Sequence, residues 1–341
     1  MAGPAEHVID LIFGRWRSQI LYAGAALGVF DHLNDREAIG ASAVGLKVGA
    51  DPALLYRLLR AIASIGLLIE DDDHRFRLTE AGVLLREDHP HSLRAMALLE
   101  EGPEHYAVWR HLVPILRDGG HQDGFQREFG AKLFEYARSN PSYGAVFNRA
   151  MSSYSAVETD LVAATLTEVD FTGAANFCDV AGGHGHLACG LLRAHPQLRG
   201  IVFDLPEVVS ETDQLWAPKL GLADRCRYIG GDMFREVPES DTYVMKKVLH
   251  DWTDAECIAI LANIRRAAKT GCRFFNTEFV IPGPAEPHFA KLFDVHMFCA
   301  LTGRERTAAE HAALLAKAGW RYELTRPAAH GPLSVIVATA V

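Results

Sequence analysis

Along the first half of the chain, apolar positions recur at helical spacing. Between His7 and Leu33 they fall at Val8, Leu11, Ile12, Ile20, Leu21 and Leu27, with Arg15, Arg17 and Gln19 between them, which predicts one or two helices. The run Ala23-Gly24-Ala25-Ala26 is small enough to let another helix approach closely, one from a second subunit included. A further helix is expected over Ser42–Val48, and a third starts with Asp51 as cap and Pro52 as its first residue. That third helix carries Leu54, Leu55, Leu58, Leu59 and Ile62 on one face and stops at Gly66. Two strand-like runs, Leu67-Leu68-Ile69 and Arg75-Phe76-Arg77-Leu78, turn at Asp71-Asp72-Asp73 and complete a winged-helix pattern. Residues 91–168 read as almost entirely helical, with breaks at Pro103, Pro114, Asp118-Gly119-Gly120 and Asn140-Pro141. They are rich in aromatics (Phe125, Phe129, Phe134, Tyr136, Tyr143, Phe147, Tyr154), a stripe that serves either as plain core or as the lining of a pocket for a flat apolar ligand.

At Asn176 the period changes. Candidate strands at Asn176–Val180, Gly200–Phe203, Cys226–Ile229, Thr242–Met245 and Cys272–Thr277 alternate with helices, the signature of a doubly wound parallel sheet. After a helix over Thr307–Lys317, Tyr322–Thr325 and Leu333–Ala338 are expected to close the sheet as an antiparallel pair. The expected class is thus α/β, a Rossmann-like sheet preceded by a helical, winged-helix domain. The boundaries drawn are 1–100 for the N-terminal domain, 101–168 for a helical linker and 169–341 for the sheet domain.

Composition narrows the function. The 341 residues are 49% apolar and 23% charged, ordinary for a globular chain with room for two cores. A net charge of −9 argues against a dedicated nucleic-acid surface or an anionic membrane partner. The helix carrying Arg57 and Arg60 is the only candidate for DNA, and the aspartates at the wing tip would repel phosphates. The 6 cysteines include no C-x-x-C pair and mostly sit within apolar patterns, which points to reduced thiols and the cytoplasm. No apolar run approaches the roughly 20 residues of a spanning helix, and no secretory signal is visible.

In an open α/β sheet, ligands bind beyond the carboxyl ends of the strands. The first strand ends at Asp179 and opens into Ala181-Gly182-Gly183-His184-Gly185, where the glycines admit a ligand to the backbone and the following helix offers unpaired N–H groups. Gly183 to Ala188 also fits the G-x-G-x-x-G/A pattern of dinucleotide enzymes, so a nicotinamide-dependent oxidoreductase stays open at this point. The second strand ends in Phe203-Asp204-Leu205-Pro206, placing Asp204 where a carboxylate accepts ribose hydroxyls. The third ends in Gly231-Asp232-Met233-Phe234, whose apolar pair can bracket an adenine. The fourth leads through Lys246 to His250-Asp251-Trp252. Two carboxylates, Glu278 at the end of the fifth strand and Glu305 in Gly303-Arg-Glu-Arg-Thr307, can converge on His250 and hold its tautomer as a general base requires. No metal-ligand spacing such as H-E-x-x-H occurs.

Taken together, Asp179-Val-Ala-Gly-Gly-His-Gly185, Phe203-Asp-Leu-Pro206, Gly231-Asp-Met-Phe234, Val248-Leu-His-Asp-Trp-Thr-Asp254 and Gly303-Arg-Glu-Arg-Thr307 resemble the S-adenosylmethionine-dependent O-methyltransferases of the caffeate and hydroxyindole type. The resemblance spans nearly the whole chain and implies a homodimer formed through the N-terminal domain. It implies that the glycine turn (Asp179, Ala181, Gly182, Gly183) holds the methionine part of the cofactor, Asp204 with Leu205 the ribose, and Asp232, Met233 and Phe234 the adenine, with Lys246 as a further contact. It makes His250 the base, flanked by Glu278 and Glu305, and puts Phe147, Met151, Tyr154, Asp251 and Met297 against a small aromatic acceptor. Ala181, standing where the family has a glycine, is expected to keep a negative φ. A segment from Asp294 to Glu305 shorter than in plant members, and Tyr154 in place of their histidine, set the acceptor apart from phenylpropanoids. Carbon or nitrogen acceptors, and non-methylating relatives, are the alternatives within the family.

Overall fold

A computed structural model describes residues 3–119, 123–167, 171 and 173–341. The boundary drawn at 168 lies outside the described residues, as does His121. The chain divides into two compact units, one of residues 1–110 and 134–154, the other of residues 111–133 and 155–341. The helix Pro141–Thr167 runs from one into the other.

In the first unit, helices Pro4–Ile12, Gly14–Leu27, Ala41–Val48 and Pro52–Ser64 precede and surround a small antiparallel sheet. Its strands β1 (Ile39–Gly40), β2 (Leu68–Glu70) and β3 (Arg75–Leu78) are ordered β1-β3-β2. The expected cap is present, since the Asp51 carboxylate accepts the Leu54 N–H at 2.9 Å. Phe30, Leu59, Ile62 and Phe76 are fully buried and make the core. The small-residue run serves this core: a Cβ on Gly24 would lie 2.8 Å from Ile62 Cδ1, so the close approach it permits is to the unit's own helix. Val8, Ile9, Leu11, Ile12 and Trp16 on the first two helices remain more than half exposed.

The second unit holds seven strands in one sheet: β4 (Asn176–Val180), β5 (Arg199–Asp204), β6 (Cys226–Gly230), β7 (Thr242–Lys246), β8 (Arg273–Glu278), β11 (Trp320–Pro327) and β12 (Ser334–Ala340). Two further short strands, β9 (Val280–Ile281) and β10 (Arg306–Thr307), pair in parallel with each other. The order is β11-β12-β8-β7-β4-β5-β6, parallel from β8 to β6, with β12 and β11 antiparallel at the other edge. From β4 the chain moves outward to β5 and β6, then returns to add β7 on the opposite side, so the topological switch lies between β4 and β7. Buried on both faces, these strands are short apolar runs such as Ile201-Val202-Phe203. Capping boxes start two of the covering helices: Thr253 with Glu256 opens Asp254–Ala267, and Thr307 with Glu310 opens Ala308–Lys317. No described helix is long and apolar enough to cross a membrane.

Candidate active site

The loops beyond β4 to β8 line up along the carboxyl edge of the sheet. After Val180 the chain turns at once, because the N–H groups of Ala181 and Gly182 both point at the carbonyl of Phe203, at 2.8 and 3.4 Å. That turn gives Ala181 a φ of +55°, contrary to the negative value expected from its side chain. An L-residue held there costs on the order of 1 to 2 kcal/mol, strain of the kind that collects at functional sites. Gly183, at φ +57°, offers its N–H to the Asp204 carboxylate at 2.7 Å, and Leu205 N–H is bound by the same side chain at 2.7 Å. Asp204 is therefore oriented before any ligand arrives. Asp179 is buried beneath the turn, where a Cβ on Gly182 would come within 2.7 Å of its Cγ. Burial pushes its carboxyl up to about 7, against the counter-pull of Lys246 and the Ala188 N–H.

Beyond β6, a Cβ on Gly231 would collide with the Phe203 ring, so only glycine lets this loop close on β5. Asp232 accepts the Phe234 N–H at 2.9 Å, and Asn263 donates to the Met233 carbonyl at 2.8 Å. The Phe234 ring meets Trp252 edge-on, with centroids 4.8 Å apart. Beyond β7, Lys246 is tied by its ammonium to Glu158 at 2.9 Å and Ser155 at 3.2 Å, while Lys247 reaches the other Glu158 oxygen at 3.2 Å. Burial opposes the Glu158 charge, but the two ammonium groups outweigh it and hold the carboxyl below its usual range.

His250 lies in a short 3-10 turn, Leu249–Asp251, and is buried with its Nδ1 2.7 Å from Glu305 Oε1. Glu278 Oε2 is 3.9 Å from the same nitrogen, and its other oxygen accepts the N–H groups of Val248 and Leu249 at 3.3 and 3.0 Å. Asp251 stands on the far side of the ring, its Oδ1 3.6 Å from Nε2. Phe293 stacks on the imidazole at 5.9 Å with an interplanar angle of 24°. Burial pushes the Glu305 carboxyl up to about 8 and that of Asp251 to about 6, and raises Glu278 as well. The ligating atoms of His250, Glu278 and Glu305 lie within 4.8 Å of one another, near enough to enclose a cation, but Lys247 and Arg306 already offset the charge on Glu305.

Of the residues singled out in the sequence, the structure brings His250, Asp251, Glu278 and Glu305 together, and sets Asp179, Ala181, Gly182, Gly183, Asp204 and Leu205 around one turn. Asp232, Met233 and Phe234 form the next loop, and Lys246 ends β7. Met297 is buried on the helix Phe289–Ala300, one turn beyond Phe293. Phe147, Met151 and Tyr154 belong to the first unit, where Phe147 packs edge-on to Phe134 and the Tyr154 hydroxyl donates to Glu100 at 2.8 Å. Sequence reasoning passed over Glu158, Phe293, Asp294 and Arg306. Two of them had a signal available: Ser155 and Glu158, and likewise Phe293 and Met297, share a helix face at i,i+3 and i,i+4.

A glycine turn, two strand-end carboxylates and a carboxylate-bound histidine around one switch point are the features of a nucleotide-cofactor enzyme of the Rossmann-like class. Family models make this specific: residues 109–321 match the O-methyltransferase domain and residues 9–88 the O-methyltransferase dimerisation domain. The chain belongs to this family and is an S-adenosylmethionine-dependent O-methyltransferase acting on small aromatic or natural-product acceptors. It is 36% identical over 335 residues to a phenazine O-methyltransferase of Lysobacter antibioticus, covering 98% of this chain and 96% of that one. It is 33% identical to a mitomycin biosynthesis 6-O-methyltransferase of Streptomyces lavendulae, over 98% of this chain and 94% of that one. Among solved structures, human N-acetylserotonin methyltransferase in complex with S-adenosylmethionine superposes with a TM-score of 0.89 at 28% identity, covering 99% and 98% of the two chains.

Proposed function

We propose that this enzyme methylates a ring hydroxyl of a fused-ring aromatic acceptor, with His250 as general base. The reading is carried by one observation, the 2.7 Å contact between His250 Nδ1 and buried Glu305. A carboxylate on Nδ1 keeps the imidazole proton there and leaves Nε2 with its lone pair, the tautomer that accepts a proton. A phenol with a pKa near ~10, by analogy with tyrosine, is mostly protonated at neutral pH. His250 Nε2 takes the hydroxyl proton as the oxygen attacks, and Glu305 stabilises the imidazolium that results. Glu278 holds the turn under the ring by its two backbone bonds. Asp251 lines the Nε2 side, where the hydroxyl has to sit.

The residues at the sheet edge fit the cofactor. Asp204 and Asp232 offer acceptors for ribose and adenine, with Leu205, Met233 and Phe234 as apolar flanks. The turn Ala181-Gly182-Gly183 and buried Asp179 suit the cationic methionine end, and Lys246 is the further contact at the end of β7. S-adenosylmethionine supplies the electrophilic methyl carbon of a sulfonium. The protein's main contribution to the displacement is alignment of the two reactants.

Phe147, Met151, Tyr154 and Met297 are assigned to the acceptor, and the names of the phenazine and mitomycin relatives favour a polycyclic one. We assign residues 1–100 to a winged-helix dimerisation domain, 101–168 to a linker that contributes to acceptor binding, and 169–341 to the catalytic domain. Exposed Val8, Leu11, Ile12 and Trp16 supply an apolar surface for a homodimer. DNA is disfavoured as a partner, since Arg60 lies over the Tyr56 ring at 5.5 Å and Asp71 and Asp73 stand at the wing tip. All six thiols are buried, in keeping with the cytoplasm.

The test is mass spectrometry of a panel of hydroxyphenazines, hydroxyquinones and simple phenols incubated with S-adenosylmethionine and either the parent chain or His250→Ala. A single-methyl gain that drops by about 10² to 10⁴-fold in the mutant is expected. Full activity in His250→Ala, with cofactor still bound, refutes the base.

A further inference from the structure

Resting on the general-base reading, we propose that Arg306 is the positioning residue of the active site, locking the turn that carries His250 to the segment that carries Glu305. Its side chain is 1% exposed. The guanidinium donates to the Leu249 carbonyl at 2.9 Å, the Trp252 carbonyl at 2.9 Å and the Arg304 carbonyl at 3.3 Å. It also grips Asp254 Oδ1 through two nitrogens, at 2.8 and 3.1 Å. Leu249 and Trp252 bracket His250 and Asp251, so both ends of the base's turn hang on one planar group. Between them, the carbonyl of His250 itself accepts the Arg304 N–H at 2.8 Å. This zipper forms only because residue 303 is glycine: a Cβ there would collide with the His250 carbonyl.

The segment is anchored from the other side as well. Glu305 N–H donates to Asp294 at 2.9 Å, and Arg306 pairs with Val280 just beyond Glu278. The three groups around the imidazole thus come from three separate stretches of chain, and the Arg306 side chain bonds to two of them. Lysine keeps the charge but is a single point donor and lacks the fork that spans both carbonyls and Asp254.

The experiment compares the parent chain, Arg306→Lys, Arg306→Ala and His250→Ala. The primary readout needs no acceptor: the imidazole Nδ1–H proton of His250 in NMR, assigned by its loss in His250→Ala. In Arg306→Lys this signal is expected to broaden or move, while affinity for S-adenosylhomocysteine stays that of the parent. On the best acceptor of the panel above, kcat is expected to fall on the order of 10² with KM little changed, the size associated with a misplacement of about 1 Å. Added guanidinium is expected to restore part of kcat in Arg306→Ala. An unmoved His250 signal in Arg306→Lys overturns the inference, as does a loss of S-adenosylhomocysteine affinity in step with kcat. Full activity in His250→Ala instead overturns the base reading and leaves the NMR result on Arg306 standing.

Discussion

Asp179 gives the sharpest quantitative test of how this site is built. Replacing it by asparagine keeps the volume and an oxygen able to accept the Ala188 N–H, which Asp179 Oδ2 now takes at 3.2 Å, but removes the charge. Burial raises the carboxyl from 3.8 to about 7 in the folded chain. The folded state therefore holds a proton that the unfolded state has lost, and the group's contribution is fully present below 3.8 and declines as pH rises to about 7. Each pH unit in that window is worth about 1.4 kcal/mol. Relative to Asp179→Asn, the parent should be penalised by roughly 2 kcal/mol near pH 5 and by about 4 kcal/mol near pH 8. Any cost of burying the amide is the same at both pH values and cancels. Urea denaturation of both chains without cofactor measures the two gaps. A gap that widens by roughly 2 to 3 kcal/mol is expected, and a pH-independent gap refutes the claim that Asp179 is held at the expense of stability. S-adenosylmethionine adds a second readout. If the strain serves the cationic end of the cofactor, binding should raise the melting temperature of the parent more than that of Asp179→Asn, most clearly near pH 8.

Three further outcomes follow from the same geometry. Burial keeps the Glu305 carboxyl protonated up to about 8, and a carboxylic acid donating to Nδ1 leaves the ring proton on Nε2, so kcat on a phenolic acceptor should rise with pH through about 8 and the step should vanish in Glu305→Gln; a profile that is flat from pH 6 to 9 counts against the pair. Glu158→Gln leaves two nearly buried ammonium groups without their carboxylate and should cost about 3 to 5 kcal/mol of stability, read as a lower urea midpoint at unchanged m-value. Ile12→Asp together with Trp16→Glu puts charge on the exposed apolar face of the first two helices, and light scattering, expected to find a dimer for the parent, should then find monomer; a retained dimer would move the interface elsewhere.

What the sequence made legible and what it hid differ by the range of the interactions involved. The strands β4 to β8 were readable to within about a residue because a strand buried on both faces must be a short apolar run, closed here by the glycines and acids that the ligand edge requires. The same logic exposed His250, Asp204 and Asp232, each of which lies at or within four residues of the end of such a run. Ala181 was misjudged because its own side chain was weighed and the neighbouring strand was not: two backbone N–H groups bound to the Phe203 carbonyl force the turn, whatever residue stands there. The partners of Glu158 and Arg306 were hidden for a related reason. They lie 88 and 57 positions away, and neither residue differs locally from a charge on a solvated helix or loop. The two-residue strands β9 and β10 leave no periodic trace at all, yet their pairing is what brings the segment carrying Glu305 beside the end of β8. The groups proposed to do the chemistry stand just beyond strand ends and can be read from the chain, while the groups that hold them in register are fixed by contacts only the folded molecule contains. Substitutions at Arg306 should therefore be the more informative ones, because they separate the presence of a base from its placement.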